Sequence, residues 1–358
     1  MRSLPKVSVV IPTRFRPELA VRAVRSALAQ TVQNIEVIVV VDGPDDLTVA
    51  TLAAIVDARL RVVVLPEAGG APNARNAGVR EARAAWTALL DDDDEWLPEK
   101  LAVQLQVAEA ARRPMPVVAS RLINRTPRAD SIMPRRLPGE DEPVSEYLTV
   151  RRGLFYGDGF IQTSTIMAPT VLLRRVPFTV GLHRLQELDW ALRAVHHDDV
   201  ELVFAAEPLT IWHQDENRPR ISLTSPWEAQ LEWLRASRHL LTPRAYSAIA
   251  TSVISSMAAP TRSPAVFRTL LREARRHGRP GIIDYLTMAQ IWLLPPELRR
   301  GLRDLVLGRG RGPAAAAAGT APIGERTGVG SAPSGQPAAR IPAPRRRRKE
   351  LVRDVGGR

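Results

Sequence analysis

Residues 87–98, TALLDDDDEWLP, contain a short apolar run followed at once by four consecutive aspartates. Thr87–Leu90 is typical of a strand buried inside a sheet, and Pro98 marks the start of a helix. Similar β-branched runs occur earlier in the chain, at Val7–Ile11, Glu36–Val41 and Arg61–Leu65. Helical patterns follow two of them, at Pro17–Ala29 and Pro72–Ala84. Strands that alternate with helices through short connections predict an α/β fold with a doubly wound, mostly parallel sheet.

The second half of the chain is less regular. After a further apolar run, Val117–Ala119, residues 123–150 are rich in proline, arginine and acids, and they are predicted to form an excursion or flexible loop. Three more elements are predicted: a strand at Gln162–Met167, a helix at Glu187–Val195 and a strand at Val200–Ala205. Beyond Pro226 the pattern is helical. We therefore predict an α/β domain over 1–225, a helical appendage over 226–307 and a disordered basic tail over 308–358.

The charge of the chain is concentrated in that tail. Of 358 residues with a net charge of +12, the segment 308–358 carries ten arginines and one lysine against three acids, or two thirds of the charge. Basicity confined to a Gly-, Pro- and Ala-rich segment is not a folded binding face, so no specific nucleic-acid partner is expected. The chain has no cysteine, which excludes disulfides, Cys-ligated metals and a thiol nucleophile.

The hydropathy pattern predicts a protein of the cytoplasm. The longest uncharged run, Ala245–Thr261, is shorter than the roughly 20 apolar residues of a membrane span. The N-terminus has no signal-peptide pattern. Segments 264–276 and 281–294 look amphipathic, which favours core packing or a homo-oligomer interface. The alternative is peripheral contact with the inner face of the plasma membrane, helped by the basic cluster Arg345–Lys349.

Polar residues follow the predicted strands where each one ends. Thr13 and Arg14 follow the first strand, Asp42 follows the second, and Asp91–Asp94 follow the fourth. Ligands of open parallel sheets bind beyond the carboxyl ends of the strands. The patterns G-x-G-x-x-G, G-x-x-x-x-G-K-[ST] and H-E-x-x-H are absent from the sequence, so the carboxylates favour a divalent cation with a phosphate ligand. In an extended segment Asp91 and Asp93 would point one way, and Asp92 and Asp94 the other.

Four motifs together resemble the family 2 glycosyltransferases. They are Ser8–Thr13 (SVVIPT), Val41–Gly43 (VDG), Ala74–Gly78 (ARNAG) and Leu90–Pro98 (LDDDDEWLP), in this order. The resemblance covers residues 7 to about 222. It implies the GT-A fold, an inverting mechanism and a nucleotide-diphosphate sugar as donor.

The resemblance also implies roles for individual residues. Positions like Pro12, Thr13 and Arg14 line the nucleotide pocket in the family, and one like Asp42 hydrogen-bonds the base. A position like Arg75 faces the base or the diphosphate. The D-x-D motif would fall on Asp91, toward the ribose, and Asp93, on Mg²⁺ or Mn²⁺; Asp92 is also expected in the donor site. Trp96 is expected to pack rather than to stack on a sugar.

Inversion requires a general base for the acceptor hydroxyl. The segment 186–193, QELDWALR, resembles the acidic segment that opens a helix beside the acceptor site in the family. The family has adjacent Glu-Asp there, whereas Leu188 separates the two acids in this chain. Alignment on Trp190, Leu192 and Arg193 makes Asp189 the base, and Glu187 is the alternative. Some family members bind the metal through a histidine placed like His213, which is therefore a second candidate ligand.

The sequence thus predicts an inverting glycosyltransferase that uses a divalent cation and serves cell-envelope polysaccharide, glycolipid or other glycoconjugate synthesis. The acceptor would be a saccharide, a lipid-linked compound or another hydroxyl compound. Two alternatives remain open: a catalytically idle sugar-nucleotide-binding or membrane-scaffold protein, and a sugar-1-phosphate nucleotidyltransferase. This chain lacks the Gly-rich, Arg-bearing first loop of a nucleotidyltransferase, which disfavours the second alternative.

Overall fold

The computed structural model describes residues 4–154, 158–214, 226–295, 297–299 and 301–302. All of them belong to one compact unit, Met1–Gly310. The predicted tail over 308–358 and its basic cluster lie outside the described residues.

A nine-stranded sheet runs through this unit in the order β3-β2-β1-β4-β8-β6-β9-β5, with β7 paired to β6. The strands are β1 (Val7–Thr13), β2 (Ile35–Val41), β3 (Leu60–Val64), β4 (Trp86–Leu89), β5 (Asp94–Trp96), β6 (Met115–Arg125), β7 (Asp130–Met133), β8 (Met167–Pro169) and β9 (Val200–His213). Strands β3, β2, β1 and β4 are mutually parallel, as predicted. The other half is mixed, because β8 runs antiparallel to β4 and β6, while β9 is parallel to β6.

In the part of the chain that the structure describes, twelve α-helices surround or extend the sheet. They are α1 (Pro17–Leu28), α2 (Asp46–Ala53), α3 (Gly70–Glu81), α4 (Lys100–Glu109), α5 (Val144–Thr149), α6 (Thr170–Arg175), α7 (Gln186–Val195), α8 (Trp227–Ala236), α9 (Pro243–Ala248), α10 (Ser255–Ala258), α11 (Pro264–His277) and α12 (Ile282–Leu293). A π-helical segment, Ile249–Ile254, joins α9 to α10. No helix in the described part of the chain is both long and apolar enough to cross a bilayer.

Three local expectations were wrong. Helix α2 was not predicted; Asp45 caps it by accepting hydrogen bonds from the backbone N–H and the hydroxyl of Thr48. Half of the predicted strand Gln162–Met167, namely Thr163–Thr165, is a 3₁₀ turn, because the Gln162 side chain accepts a hydrogen bond from the backbone N–H of Ser164. The predicted excursion over 123–150 contains the end of β6, all of β7 and helix α5.

The core lies on both faces of the sheet. Alternate residues of β1 separate the two layers: Val9 and Ile11 pack with α1 and α4, whereas Val10 packs with the layer that contains Trp190 of α7. Helix α3 crosses β1 so closely that a Cβ atom on Gly78 would overlap the Val10 side chain. This approach fixes α3 above the carboxyl end of the sheet.

A third apolar cluster belongs to the helices that follow Pro226. It contains Trp233, Leu270, Met288 and Ile291, so one face each of α8, α11 and α12 is used for core packing, as predicted for 264–276 and 281–294. Leu185 and Leu188 pack against the same cluster and connect it to the start of α7. The opposite face of α12 leaves apolar side chains exposed, namely Ile282, Leu286 and Leu293.

Candidate active site

The parallel strands bring their polar ends to one edge of the sheet. Thr13 of β1 lies opposite Val41 of β2, so Asp42 comes directly beyond it. Leu89 of β4 lies opposite Val10, which places Asp91 about level with the end of β1. Thr13 and Asp92 are 79 positions apart in the sequence but in contact here: the Thr13 hydroxyl donates a 2.8 Å hydrogen bond to Asp92 Oδ2. The predicted convergence of strand ends is therefore observed.

The acidic run forms a turn rather than an extended segment. The backbone N–H of Asp94 donates to the carbonyl of Asp91 at 3.1 Å, and Asp94 then begins β5. As a result Asp91, Asp93 and Asp94 each bring a carboxylate oxygen within 4.8 Å of one another. The expectation that Asp94 would share the side of Asp92 was wrong, because strict alternation holds only for an extended chain.

Asp94 is the most deeply buried of these carboxylates. Its Oδ2 accepts hydrogen bonds from Gln162 Nε2 at 2.7 Å and from the Ser164 hydroxyl at 2.6 Å. Its Oδ1 is buried without a hydrogen-bond partner among the described residues. Burial, followed by the charges of Asp93 and Asp91, raises the pKa of Asp94 well above its ordinary value. A hard divalent cation would supply both the missing partner and the missing positive charge, so this donor set fits Mg²⁺ or Mn²⁺.

Asp92 is not a member of this three-carboxylate group. Besides Thr13, it accepts a hydrogen bond from Arg16 Nη1 at 3.2 Å. Burial, with a contribution from Asp93, raises the pKa of Asp92 to about 7. In this position Asp92 ties the acidic turn to the end of β1.

The other predicted residues of the nucleotide pocket lie around this edge. Pro12 is buried inside β1, while Arg14 is exposed, with its guanidinium 5.0 Å from the centre of the Phe15 ring. A cavity of about 360 Å³ opens beside the ends of β1 and β2 and is lined by Phe15, Pro17, Pro44, Asp45, Asp46 and Leu47.

Asp42 holds the turn that precedes α3. Its two carboxylate oxygens accept hydrogen bonds from the backbone N–H groups of Gly69 and Gly70, at 2.8 and 2.9 Å. Gly70 has a φ of +82°, a backbone conformation that glycine adopts without strain. Asp42 therefore shapes the loop between β3 and α3.

Arg75 connects α3 to both acidic segments. It is 4% exposed. Its Nη2 donates to Asp91 Oδ1 at 2.7 Å, and its Nη1 donates to Gln186 Oε1 at 2.6 Å. Burial opposes the charge, but Asp91 and then Glu187 outweigh it and raise the pKa of Arg75. The Nε of Arg75 has no hydrogen-bond partner among the described residues, which leaves one buried donor for a ligand.

The two candidate bases on α7 have different surroundings. Asp189 Oδ2 accepts hydrogen bonds from the Thr179 hydroxyl at 2.7 Å and from Arg193, and its Oδ1 accepts one from Trp233 Nε1 at 2.8 Å. Glu187 accepts one hydrogen bond, from the Thr163 hydroxyl at 2.6 Å, and lies within electrostatic range of Arg75. Side chains two positions apart on a helix do not share a face. Glu187 therefore belongs to the Arg75–Asp91 side of α7, and Asp189 to the side that packs on α8.

His213 lies at the end of β9 and not in the carboxylate group. Its Nε2 is 2.7 Å from Glu95 Oε1, on the strand pair β5–β9. The three-carboxylate group found among the described residues contains Asp93 but not His213. Trp96 is buried and donates its indole N–H to the carbonyl of Ser164 at 2.8 Å, which confirms the expected packing role.

Sequence reasoning missed Gln162, Thr163 and Ser164, which support Asp94 and Glu187. The available signal was their polarity, since four polar residues in a row, Gln162–Thr165, do not suit a strand buried on both faces. Asp94 as a member of the three-carboxylate group and Arg16 as a partner of Asp92 and Asp93 were also missed.

Comparison with solved structures supports the fold. The crystal structure of S. aureus TarS 1-349 in complex with UDP-GlcNAc aligns with a TM-score of 0.54 at 15% identity, over 83% of this chain and 92% of that one. The similarity confirms an α/β fold of the GT-A type.

Comparison with curated sequences identifies related proteins. The chain is 42% identical over 108 residues to the succinoglycan biosynthesis protein ExoO of Rhizobium meliloti (strain 1021), which is 30% of this chain and 31% of the relative. It is 28% identical over 247 residues to the amylovoran biosynthesis glycosyltransferase AmsB of Erwinia amylovora, 66% of this chain and 79% of the relative. The chain spans only 25% to 31% of the length of three of the curated relatives that it matches.

The family model for glycosyl transferase family 2 matches residues 8–175. This range begins in β1 and contains Asp42, Arg75, the acidic turn Asp91–Asp94 and the residues Gln162–Ser164 that bond to Asp94 and Glu187. With the related sequences and the GT-A type fold, this match shows that residues 8–175 are similar to glycosyl transferase family 2.

Proposed function

We propose that this protein transfers a sugar from a nucleotide-diphosphate sugar to a hydroxyl acceptor, with inversion at the anomeric carbon, in the synthesis of a cell-envelope polysaccharide or glycolipid. The observation that carries the proposal is the group Asp91, Asp93 and Asp94, with a buried unpartnered oxygen on Asp94, next to the buried Arg75. Two relatives are described by succinoglycan and amylovoran biosynthesis, which suits this class of product.

The donor would lie across the carboxyl edge of the sheet. Its nucleoside would occupy the side formed by the ends of β1 and β2, where the cavity beside Phe15 opens. Its diphosphate would lie near Arg75, whose unpartnered Nε is a donor for a phosphate oxygen. A divalent cation on Asp91, Asp93 and Asp94 would neutralise the charge of the departing diphosphate.

Glu187 is the better-placed general base. The acceptor oxygen attacks the anomeric carbon from the face opposite the diphosphate, the bond to the diphosphate oxygen breaks, and a carboxylate removes the acceptor proton. Glu187 has one hydrogen-bond partner and lies on the Arg75 side of α7. Asp189 already accepts bonds from Thr179, Arg193 and Trp233 on both oxygens. We therefore assign Glu187 as the base and Asp189 to the anchoring of α7, which reverses the order of preference reached from the alignment on Trp190.

A donor panel tests the activity. The purified protein is incubated with UDP-, GDP- and dTDP-sugars in Mn²⁺ or in EDTA, and nucleoside diphosphate release is measured with and without saccharide acceptors. A sugar-1-phosphate nucleotidyltransferase would release pyrophosphate instead, and an idle binding protein would bind a donor without turnover. Either result would overturn the proposal.

Two matched variants test the base. Glu187→Gln keeps the hydrogen bond to Thr163 and removes the basicity, so kcat should fall by about 10²–10⁴-fold with donor binding and thermal midpoint retained. Asp189→Asn should instead lower the thermal midpoint and leave the folded fraction largely active. If Asp189→Asn is the stable, donor-binding, inactive variant, Asp189 is the base and the assignment fails.

A further inference from the structure

A second cavity, of about 360 Å³, lies between the segment 136–152 and the helices after Pro226. It is lined by Arg136, Glu142, Glu146, Val150, Arg151, Arg152, Arg244 and Ile283. Four of these eight residues are arginines, and two are acids. The donor site proposed above uses none of them.

The acids of this cavity are already engaged. Glu142 accepts two hydrogen bonds from Arg136, each of 2.5 Å, and a 3.3 Å bond from Arg152. Glu142 therefore offsets part of the positive charge of Arg136 and Arg152. The backbone N–H of Gly139 donates a further hydrogen bond, so both carboxylate oxygens of Glu142 are already engaged. Glu146 accepts a 2.8 Å hydrogen bond from the hydroxyl of Thr242, which joins α5 to the start of α9.

Arg151 and Arg244 differ from the other two arginines. Neither has a hydrogen bond or an ion pair with any of the described residues. Burial, and then the guanidinium of Arg299, lower the pKa of Arg151, and the nearby Asp284 opposes this only partly. Asp284 itself caps α12 by accepting a 2.7 Å hydrogen bond from the backbone N–H of Gly281. The charge of Asp284 acts on both Arg244 and Arg151, so two cations that form no ion pair face one cavity and share a single nearby acid.

The size of the cavity indicates more than a bare ion. A water molecule takes a share of about 30 Å³ in the liquid, so the space corresponds to roughly a dozen waters. A guanidinium group can bind two phosphate oxygens through a pair of parallel hydrogen bonds. Arg151 and Arg244 would each offer such a pair to a ligand in the cavity. On the side of α12, Ile283 lines the cavity, and its neighbour Ile282 and Leu286 one turn later are exposed apolar residues.

We propose that this cavity is a binding site for a phosphate or diphosphate ester, held by Arg151 and Arg244. The proposal goes beyond the assigned donor site and does not depend on sugar transfer. The same chemistry is offered by a water-soluble phosphate ester and by the headgroup of a lipid phosphate, for which the exposed Ile282 and Leu286 would provide an apolar neighbour.

Binding measurements on the full chain test the site. Inorganic pyrophosphate and a short-chain lipid phosphate, dioctanoyl phosphatidic acid below its micelle concentration, are titrated by calorimetry in EDTA at fixed salt. Arg151→Gln and Arg244→Gln should each weaken binding by about tenfold, the loss of one charge-assisted contact. The control is Arg112→Gln, which removes the same charge from an exposed arginine paired with Glu140 and should change the affinity less than twofold.

The pattern across variants decides the outcome. Equal losses in all three variants would indicate bulk charge alone, and unchanged binding in the two cavity variants would also overturn the proposal. Arg244 is exposed, so Arg244→Gln remains informative if Arg151→Gln fails to fold. Comparable affinity for both ligands identifies a soluble ester as the natural source, whereas clearly tighter binding of the lipid, lost in Arg244→Gln, identifies a lipid phosphate.

Discussion

Trp233 donates its indole N–H to Asp189 Oδ1 across 2.8 Å in the interior of the protein. Trp233 lies on α8 and Asp189 on α7, which also carries Glu187. The bond therefore connects the helices after Pro226 to the element that bears the proposed base. Because Asp189 also accepts a hydrogen bond from Thr179, which precedes α7, one carboxylate connects α7 to two separate segments.

Removal of the Trp233 hydrogen bond should lower stability. Trp233→Phe leaves a buried carboxylate oxygen without its partner, and we expect a loss of roughly 1–3 kcal/mol in the free energy of unfolding, measured in urea. Trp227→Phe is the matched control, because Trp227 lies on the same helix and packs in the same apolar cluster. Equal losses in the two variants would show that ring volume, and not the bond to Asp189, stabilises this contact.

Asp94 should contribute to cation affinity. Asp94→Asn keeps an oxygen for Gln162 and Ser164 but removes the charge, so Mn²⁺ affinity measured by calorimetry should fall about tenfold or more. In EDTA the same variant should be at least as stable as wild type, because an unfavourable buried charge is gone. Glu95→Gln removes one charge from the adjacent residue, which bonds to His213, and should retain the affinity. Unchanged Mn²⁺ binding in Asp94→Asn would exclude Asp94 as a ligand.

Asp92 should make the cation-free protein less stable as the pH rises. Its pKa is about 7 in the folded state, against 3.8 as the ordinary value, so the folded protein holds a proton that the unfolded chain releases. The contribution of Asp92 to stability is then largest below about pH 4, and it falls by roughly 4 kcal/mol between about pH 4 and pH 7. Urea unfolding in EDTA between pH 4.5 and 7.5 should show this slope in wild type and a weaker slope in Asp92→Asn. Parallel slopes would contradict the assignment.

Gly78 should not accept a side chain. A Cβ atom at this position would overlap Val10 on β1. Gly78→Ala should therefore lower the free energy of unfolding by roughly 1–3 kcal/mol, although alanine favours a helix by about 1 kcal/mol. Gly301→Ala is the control, since nothing lies within 4 Å of a Cβ there and the change should be neutral or stabilising. A stabilising Gly78→Ala would show that α3 can move away from β1.

The part of the fold that follows regular patterns was predictable from the sequence. Strand β2 consists of six β-branched residues and one acid, and all seven are buried, as a strand covered on both faces must be. The parallel arrangement of β1, β2 and β4 then determined which strand ends meet. Asp42 and Asp91 were found in this way, before any contact was known.

The remainder depended on contacts between distant residues. The predicted strand at Gln162–Met167 was wrong because the side chain of Gln162 forms a local hydrogen bond that favours a 3₁₀ turn over Thr163–Thr165. The turn at Asp91–Asp94 is set by the pairing of β5 with the distant β9. The different environments of Glu187 and Asp189 depend on Thr163 and Trp233, which no spacing within α7 reveals.

The Asp42 contacts to Gly69 and Gly70 have a consequence for the thermodynamics of ligand capture. Ordering one flexible residue costs about 1–2 kcal/mol of backbone entropy, and glycine loses the most. Because the carboxylate already restrains this Gly-Gly loop in the folded chain, that loss occurs during folding and is not repeated when a ligand arrives at the adjacent start of α3. The loop is thus preorganised, and a ligand can bind at the start of α3 without a preceding slow rearrangement of the loop.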